Sequence, residues 1–212
     1  MIKFNKKTIF LSLALLLGIR SAIVLPRSTS DYKENAQTGD LIFQTQIGRS
    51  QSLAIQSATL SPYNHVGVVV NIKGKLYVYE ASGPVSKIPL NKFVSRKGTG
   101  ERFVVYRHKE ISKKDNKKIV SYLEKSSGKK YDTYLNWNDT RMYCSELAYK
   151  ALNHADLKLE KPKKVKDLSF ALKVGKVIPN SYKLKKLNPE MKVVAPSHLS
   201  RDKNLEKVFQ NW

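Results

Sequence analysis

The chain has 212 residues, enough for one well-cored domain and short of what two would need. Hydrophobic residues make up 41%, an ordinary share that excludes a disordered chain. Charge is lopsided: 39 Lys+Arg stand against 17 Asp+Glu, for a formal net charge of +22. That excess favours anionic partners such as envelope polymers, anionic lipid or nucleic acid. The basic residues are mostly lysines in scattered pairs, such as Lys113-Lys114 and Lys185-Lys186. Arg is scarce and no nucleic-acid recognition motif is present, so a solvated lysine surface is expected and a specific nucleic-acid partner is not.

The N-terminus has the outline of an export signal. Lys3, Lys6 and Lys7 form a positive region, and Thr8 to Gly18 is an apolar run too short for a firm membrane span. Ala22 is the candidate last residue removed, although Arg20 sits where a small residue is preferred. Residues 1–22 are therefore read as a signal peptide or an uncleaved anchor. Residues 23–37 read as a polar tether, and 38–212 as the folded domain. The expected location is exported: periplasmic or associated with the cell envelope.

Thr38-Gly39-Asp40 is a turn signal before Leu41-Ile42-Phe43, the expected first strand. Gln51 to Leu60 reads as a short helix broken at Ser61-Pro62. His65 to Ile72 and Lys75 to Ala81 read as strands, joined at Lys73-Gly74 as a hairpin. A two-residue loop there pairs residues whose numbers sum to 147, so Gly67 opposes Glu80. Alternation then puts His65, Gly67 and Glu80 on one face, with His65 and Glu80 as diagonal neighbours roughly 7–8 Å apart. Gly67 would leave room between them, and a carboxylate beside an imidazole fixes its tautomer and stabilises its charged form. A slip of one residue would put the pair on opposite faces.

Phe103 to Arg107 reads as a third strand. Ser112 and Asp115 resemble a capping box opening a helix that Gly128 ends. A loop rich in Tyr, Trp and Asn leads to Tyr143-Cys144 and suits either a substrate wall or packing. Leu147, Ala148, Ala151, Leu152 and Ala155 give the next helix one apolar face, with Cys144 in its first turn. Helix N-termini favour a thiolate and can stabilise an oxyanion. Cys144 is the only cysteine, so it forms no internal disulfide, and a free thiol outside the cytoplasm is a liability unless buried or used. Asp167 to Val174 reads as a short helix, and Lys192 to Ala195 as a last strand. Leu205, Val208, Phe209 and Trp212 form an i, i+3, i+4, i+7 stripe that predicts a closing amphipathic helix. The four histidines are scattered, with no metal-ligand spacing, so neither metal nor other cofactor is expected.

Five motifs in this order, Thr38 to Phe43, His65 to Val69, Val78 to Ala81, Gly128 to Asp132 and Tyr143 to Leu147, resemble the permuted papain-like amidases of the NlpC/P60 superfamily, in the YiiX/YaeF branch. The resemblance covers roughly Thr38 to Ala155. It implies an α+β, circularly permuted papain-like fold, in which a small antiparallel sheet packs on helices that include the cysteine helix. It implies Cys144 as nucleophile, His65 as general base and Glu80 as the orienting third residue. Tyr131 and Tyr143 are carried over as substrate-facing. The activity implied is an exported cysteine amidase or peptidase acting on cell-wall peptides (peptidoglycan) or related acyl amino-acid amides. Two other readings stay open: an LRAT-like lipid acyltransferase or thioesterase, and a non-enzymatic cationic protein that binds anionic envelope polymers or lipid around a vestigial site.

Overall fold

The computed structural model describes residues 28–45, 56, 61–96, 102–167 and 188–212. The export signal, most of the Gln51–Leu60 helix and all but the first residue of the Asp167–Val174 helix lie outside the described residues.

Six antiparallel strands form the main sheet. In chain order they are β1 (Leu41–Gln44), β2 (His65–Ile72), β3 (Lys75–Ala81), β4 (Val85–Pro89) and β5 (Phe103–His108), with β10 (Leu205–Gln210) at the end of the chain. Their spatial order is β10-β5-β1-β2-β3-β4. The helices are α1 (Thr29–Asn35), α2 (Leu90–Val94), α3 (Asn116–Ser126), α4 (Cys144–His154) and α5 (Pro196–Ser200). Two small pairs complete the fold: parallel β6 (Lys130–Tyr131) with β7 (Arg141–Met142), and antiparallel β8 (Lys163–Lys164) with β9 (Lys192–Val193).

Both faces of the sheet are covered, which is why its central strands read as continuous apolar runs. Leu41, Phe43, Val66, Val68 and Val70 pack on one side against Ile119 and Leu123 of α3 and Leu147, Ala148 and Ala151 of α4. Ile42, Val69, Val78, Phe103 and Val105 pack on the other against Tyr32 of α1 and Leu90 and Phe93 of α2.

The hairpin register is the one the sequence predicts, running from Val68–Tyr79 to Ile72–Lys75. Lys73 and Gly74 both have positive φ, 49° and 81°, as the tight turn requires. The predicted capping box also forms: the Asp115 carboxylate accepts from Ser112 N at 2.9 Å and from its Oγ at 2.7 Å.

Two expectations are corrected. The second half of the supposed 23–37 tether is part of the domain. Ser28 and Asp31 cap α1 reciprocally, and Tyr32 is buried with its hydroxyl donating to Asp40 Oδ2 at 3.0 Å. The polar residues around Tyr32 face solvent, so composition alone concealed the anchor. The closing helix is in fact edge strand β10, paired with β5. Its register shifts between Lys207 and Phe209, with Val208 as the extra residue of a bulge. The shift sends Leu205 into the core on the α3/α4 side and Phe209 into the opposite one. An apolar pattern interrupted by a bulge had imitated a helical stripe, and Trp212 is left exposed.

Candidate active site

Cys144 is the first residue of α4, and the chain on either side of it is fixed to one residue. The Tyr143 hydroxyl accepts from Val194 N at 3.1 Å, and Ser145 Oγ donates to Val194 O at 2.7 Å. Tyr143 is therefore buried, and the structure makes it an anchor of the cysteine helix where a substrate-facing side chain was expected. Glu146 closes the same end. Its Oε2 accepts from Tyr143 N at 3.4 Å, and Lys150 donates to its Oε1 at 2.7 Å. Burial pushes the Glu146 carboxyl up to about 7 against the pull of Lys150.

Lys150 also reaches Asp139 at 3.1 Å and lies 4.8 Å from the Trp137 ring centroid. It ties the polar aromatic loop to α4, and Trp137 packs edge-on against Tyr149. That part of the loop is packing. Tyr131 is half-buried against the core and pairs with Met142, two residues before Cys144, while Tyr134 is exposed.

His65 opens β2, at the end of the sheet where the ladder to β3 has not begun. Its Nε2 lies 2.5 Å from Glu80 Oε2. Its ring also hydrogen-bonds the Cys144 thiol. The structure thus brings Cys144, His65 and Glu80 together. Gly67 differs from expectation. A Cβ there would lie 2.3 Å from Val78 Cγ1 and 3.2 Å from Phe93 Cε2. The glycine admits Phe93, whose ring stacks on His65 with centroids 5.7 Å apart.

The electrostatics favour the charged pair. Burial opposes an imidazolium at His65, but hydrogen bonds to Cys144 and Glu80 push its pKa up to about 9. Burial likewise opposes the thiolate. The His65 hydrogen bond and charge, with main-chain N–H groups of Val66 and Ser145, outweigh it and lower the Cys144 thiol. Glu80 is buried, yet hydrogen bonds from His65 and Arg96 hold it at about 2.

Arg96 escaped the sequence reading. It follows α2 and grips Glu80 with both ends of its guanidinium, Nη1 to Oε2 at 3.0 Å and Nη2 to Oε1 at 2.5 Å. Ser-Arg-Lys-Gly after a short helix carries no local signal that would have found it.

The remaining histidines are elsewhere. His108 bonds the Lys158 carbonyl at 3.1 Å, His154 packs on Tyr122, and His198 accepts from Ala195 N at 3.3 Å.

Comparison with known proteins agrees with this geometry. Residues 35–209 match the family described as permuted papain-like amidase enzyme, YaeF/YiiX, C92 family. The chain is 34% identical over 179 residues to the uncharacterized protein YiiX of Escherichia coli strain K12, covering 83% of this chain and 87% of that one. It also resembles the crystal structure of the metalloprotein yiiX from Escherichia coli O157:H7, with a TM-score of 0.74 and 36% identity, over 83% of this chain and 98% of that one. The cysteine at the head of a helix, backed by a histidine and a carboxylate in permuted order, and the match over most of the domain have one meaning: this chain belongs to the permuted papain-like amidases of the YaeF/YiiX family and is a cysteine hydrolase.

Proposed function

We propose that this protein is exported and hydrolyses amide bonds in cell-wall peptides or related acyl amino-acid amides. The observation that carries the chemistry is His65 standing between Cys144 and an ionised Glu80. The positive and apolar segments at the N-terminus, Lys3 to Lys7 and Thr8 to Gly18, support export. The lysine excess suits an envelope rich in anionic polymers.

The steps follow from the site. The reaction begins as His65 takes the Cys144 proton, giving thiolate and imidazolium. Sulfur attacks the amide carbonyl carbon, and a C–S bond forms as the carbonyl electrons move to oxygen. The main-chain N–H of Cys144, at the start of α4 and unused within the helix, is placed to hold that oxyanion. The C–N bond breaks as His65 gives its proton to the leaving amine. His65, now neutral, takes a proton from water. The hydroxide attacks the thioester, the C–S bond breaks, and the acid leaves as the thiolate–imidazolium pair is restored. Glu80 stays ionised throughout and keeps the imidazole oriented.

The yiiX protein of Escherichia coli O157:H7 is described as a metalloprotein. The residues here do not fit a metal. Among the described residues, no three His, Cys, Asp or Glu side chains gather as a ligand set. Both oxygens of Glu80 face the Arg96 cation, and Oε2 also faces His65.

Mass spectrometry of defined muropeptides tests the substrate assignment. Wild-type protein should split an amide bond with gain of one water, and Cys144→Ala should leave masses unchanged. Unchanged masses with wild type would overturn the cell-wall substrate. Acyl transfer from a lipid donor through Cys144 would replace it with the acyltransferase reading.

A further inference from the structure

We infer that Arg96 is a positioning residue of the active site, whose guanidinium fork aims the Glu80 carboxylate at His65 Nε2. A carboxylate at the end of a Glu side chain turns freely about its last bond, and a single histidine contact does not set its plane. Two parallel N–H···O bonds do. The Arg96 fork supplies them, and the Oε2 atom it orients is the one 2.5 Å from His65 Nε2.

Arg96 is itself held. The turn that delivers it is closed by Ser95, whose N and Oγ donate to Asn91 O at 3.0 and 2.8 Å. Its guanidinium lies 5.3 Å from the Phe93 ring centroid, and that same ring stacks on His65. The Phe93 carbonyl accepts from Gln44 Nε2 at 2.9 Å, and Gln44 is the β1 partner of His65. The contacts therefore close a circuit: His65 to Glu80, to Arg96, to Phe93, and back to the His65 ring. Lysine at position 96 could supply charge but no fork.

This role rests on the thiolate–imidazolium reading of the site, and the test separates the two. The pKa of the His65 ring is read by NMR in wild type, Arg96→Gln, Arg96→Lys and Glu80→Gln, with thermal melting as a check on folding. No substrate is needed. The charged groups bearing on Glu80 include His65 and Arg96; those bearing on His65 include Cys144 and Glu80, with Arg96 just beyond the Glu80 carboxylate.

If the fork aims Glu80, Arg96→Gln loosens the carboxylate and the His65 pKa falls by about one unit, the same direction as in Glu80→Gln. Arg96→Lys falls between Arg96→Gln and wild type. A charge effect alone predicts the opposite sign, because removing a cation near an imidazolium stabilises it. A rise in Arg96→Gln, or no movement beside a lowered melting temperature, overturns the positioning role. So does an Arg96→Lys titration identical to wild type. Wild-type His65 titrating near the ordinary 6.5 would remove the charged pair, and this role with it.

Discussion

Asp40 and Glu80 are both buried, and each is gripped by an arginine through two hydrogen bonds. Arg107 reaches Asp40 with Nε at 2.7 Å and Nη2 at 2.9 Å, much as Arg96 reaches Glu80. The remaining partners differ. Asp40 also accepts from the Tyr32 hydroxyl and from Gln37 N at 2.9 Å, groups that carry no charge at working pH. Glu80 faces an imidazole, whose charge changes in the reaction cycle. The first cluster ties α1 and the start of β1 to β5. The second holds a proton carrier. A buried carboxylate–arginine pair is thus a structural part with no inherent function, and the third partner decides what it does.

Changes at the reacting end should have the largest effects. Cys144→Ala is expected to abolish amide hydrolysis, since no other thiol exists in the chain. His65→Ala should retain roughly one part in a thousand of kcat/KM, the share lost with a general acid–base residue. Its thiol should titrate at about 8.5 or above, read by alkylation rate against pH. An unchanged thiol would break the comparison, because His65 would then be as inert a partner as Tyr32.

Glu80→Gln should cost less, about 10- to 100-fold in kcat/KM, the range found for a carboxylate behind a metal-bound histidine. The pH behaviour has a definite sign. His65 has a raised pKa, so its contribution to stability and its acid function are present below about 6.5 and fade as pH rises through about 9. Wild-type kcat/KM should decline across about 9, and in Glu80→Gln the decline should begin at lower pH. Glu80 has a depressed pKa, so its contribution is present above 4.5 and is lost as pH falls through about 2. The stabilities of wild type and Glu80→Gln, measured by denaturant unfolding, should therefore converge over that acid range.

Local rules located the parts of the site: a lone cysteine before an apolar helical stripe singled out Cys144, and the Lys73-Gly74 turn fixed the register that aligned His65 with Glu80. Their roles as nucleophile, base and orienting residue came from the family resemblance. What was missed depends on distant packing. Arg96 meets Glu80 only because α2 folds under the sheet, and nothing in its own stretch reports that. Tyr143 borders the nucleophile in sequence, but its destination is set by Val194, 51 residues away. Tyr32 looks like part of a linker because its partner, Asp40, belongs to a turn motif that is complete without it. The β10 stripe misled because one bulged residue turns a two-residue period into apparent helical spacing.

Asp40→Asn sharpens the comparison from the other side, with the smallest expected effect on catalysis. It keeps the shape of the side chain but leaves Arg107, largely buried, without its counter-charge. Removing one member of a buried pair costs about 3–5 kcal/mol, which in a domain of this size lowers Tm by roughly 10 °C. The His65 titration and the alkylation profile of Cys144 should not move, because none of the Asp40 partners touches the site. Replacing Asp40 and Arg107 together with uncharged residues should recover part of the loss, since no buried charge is then left alone. A shifted Cys144 profile in Asp40→Asn would mean that the two clusters are coupled through β1, where Gln44, four residues from Asp40, pairs with His65.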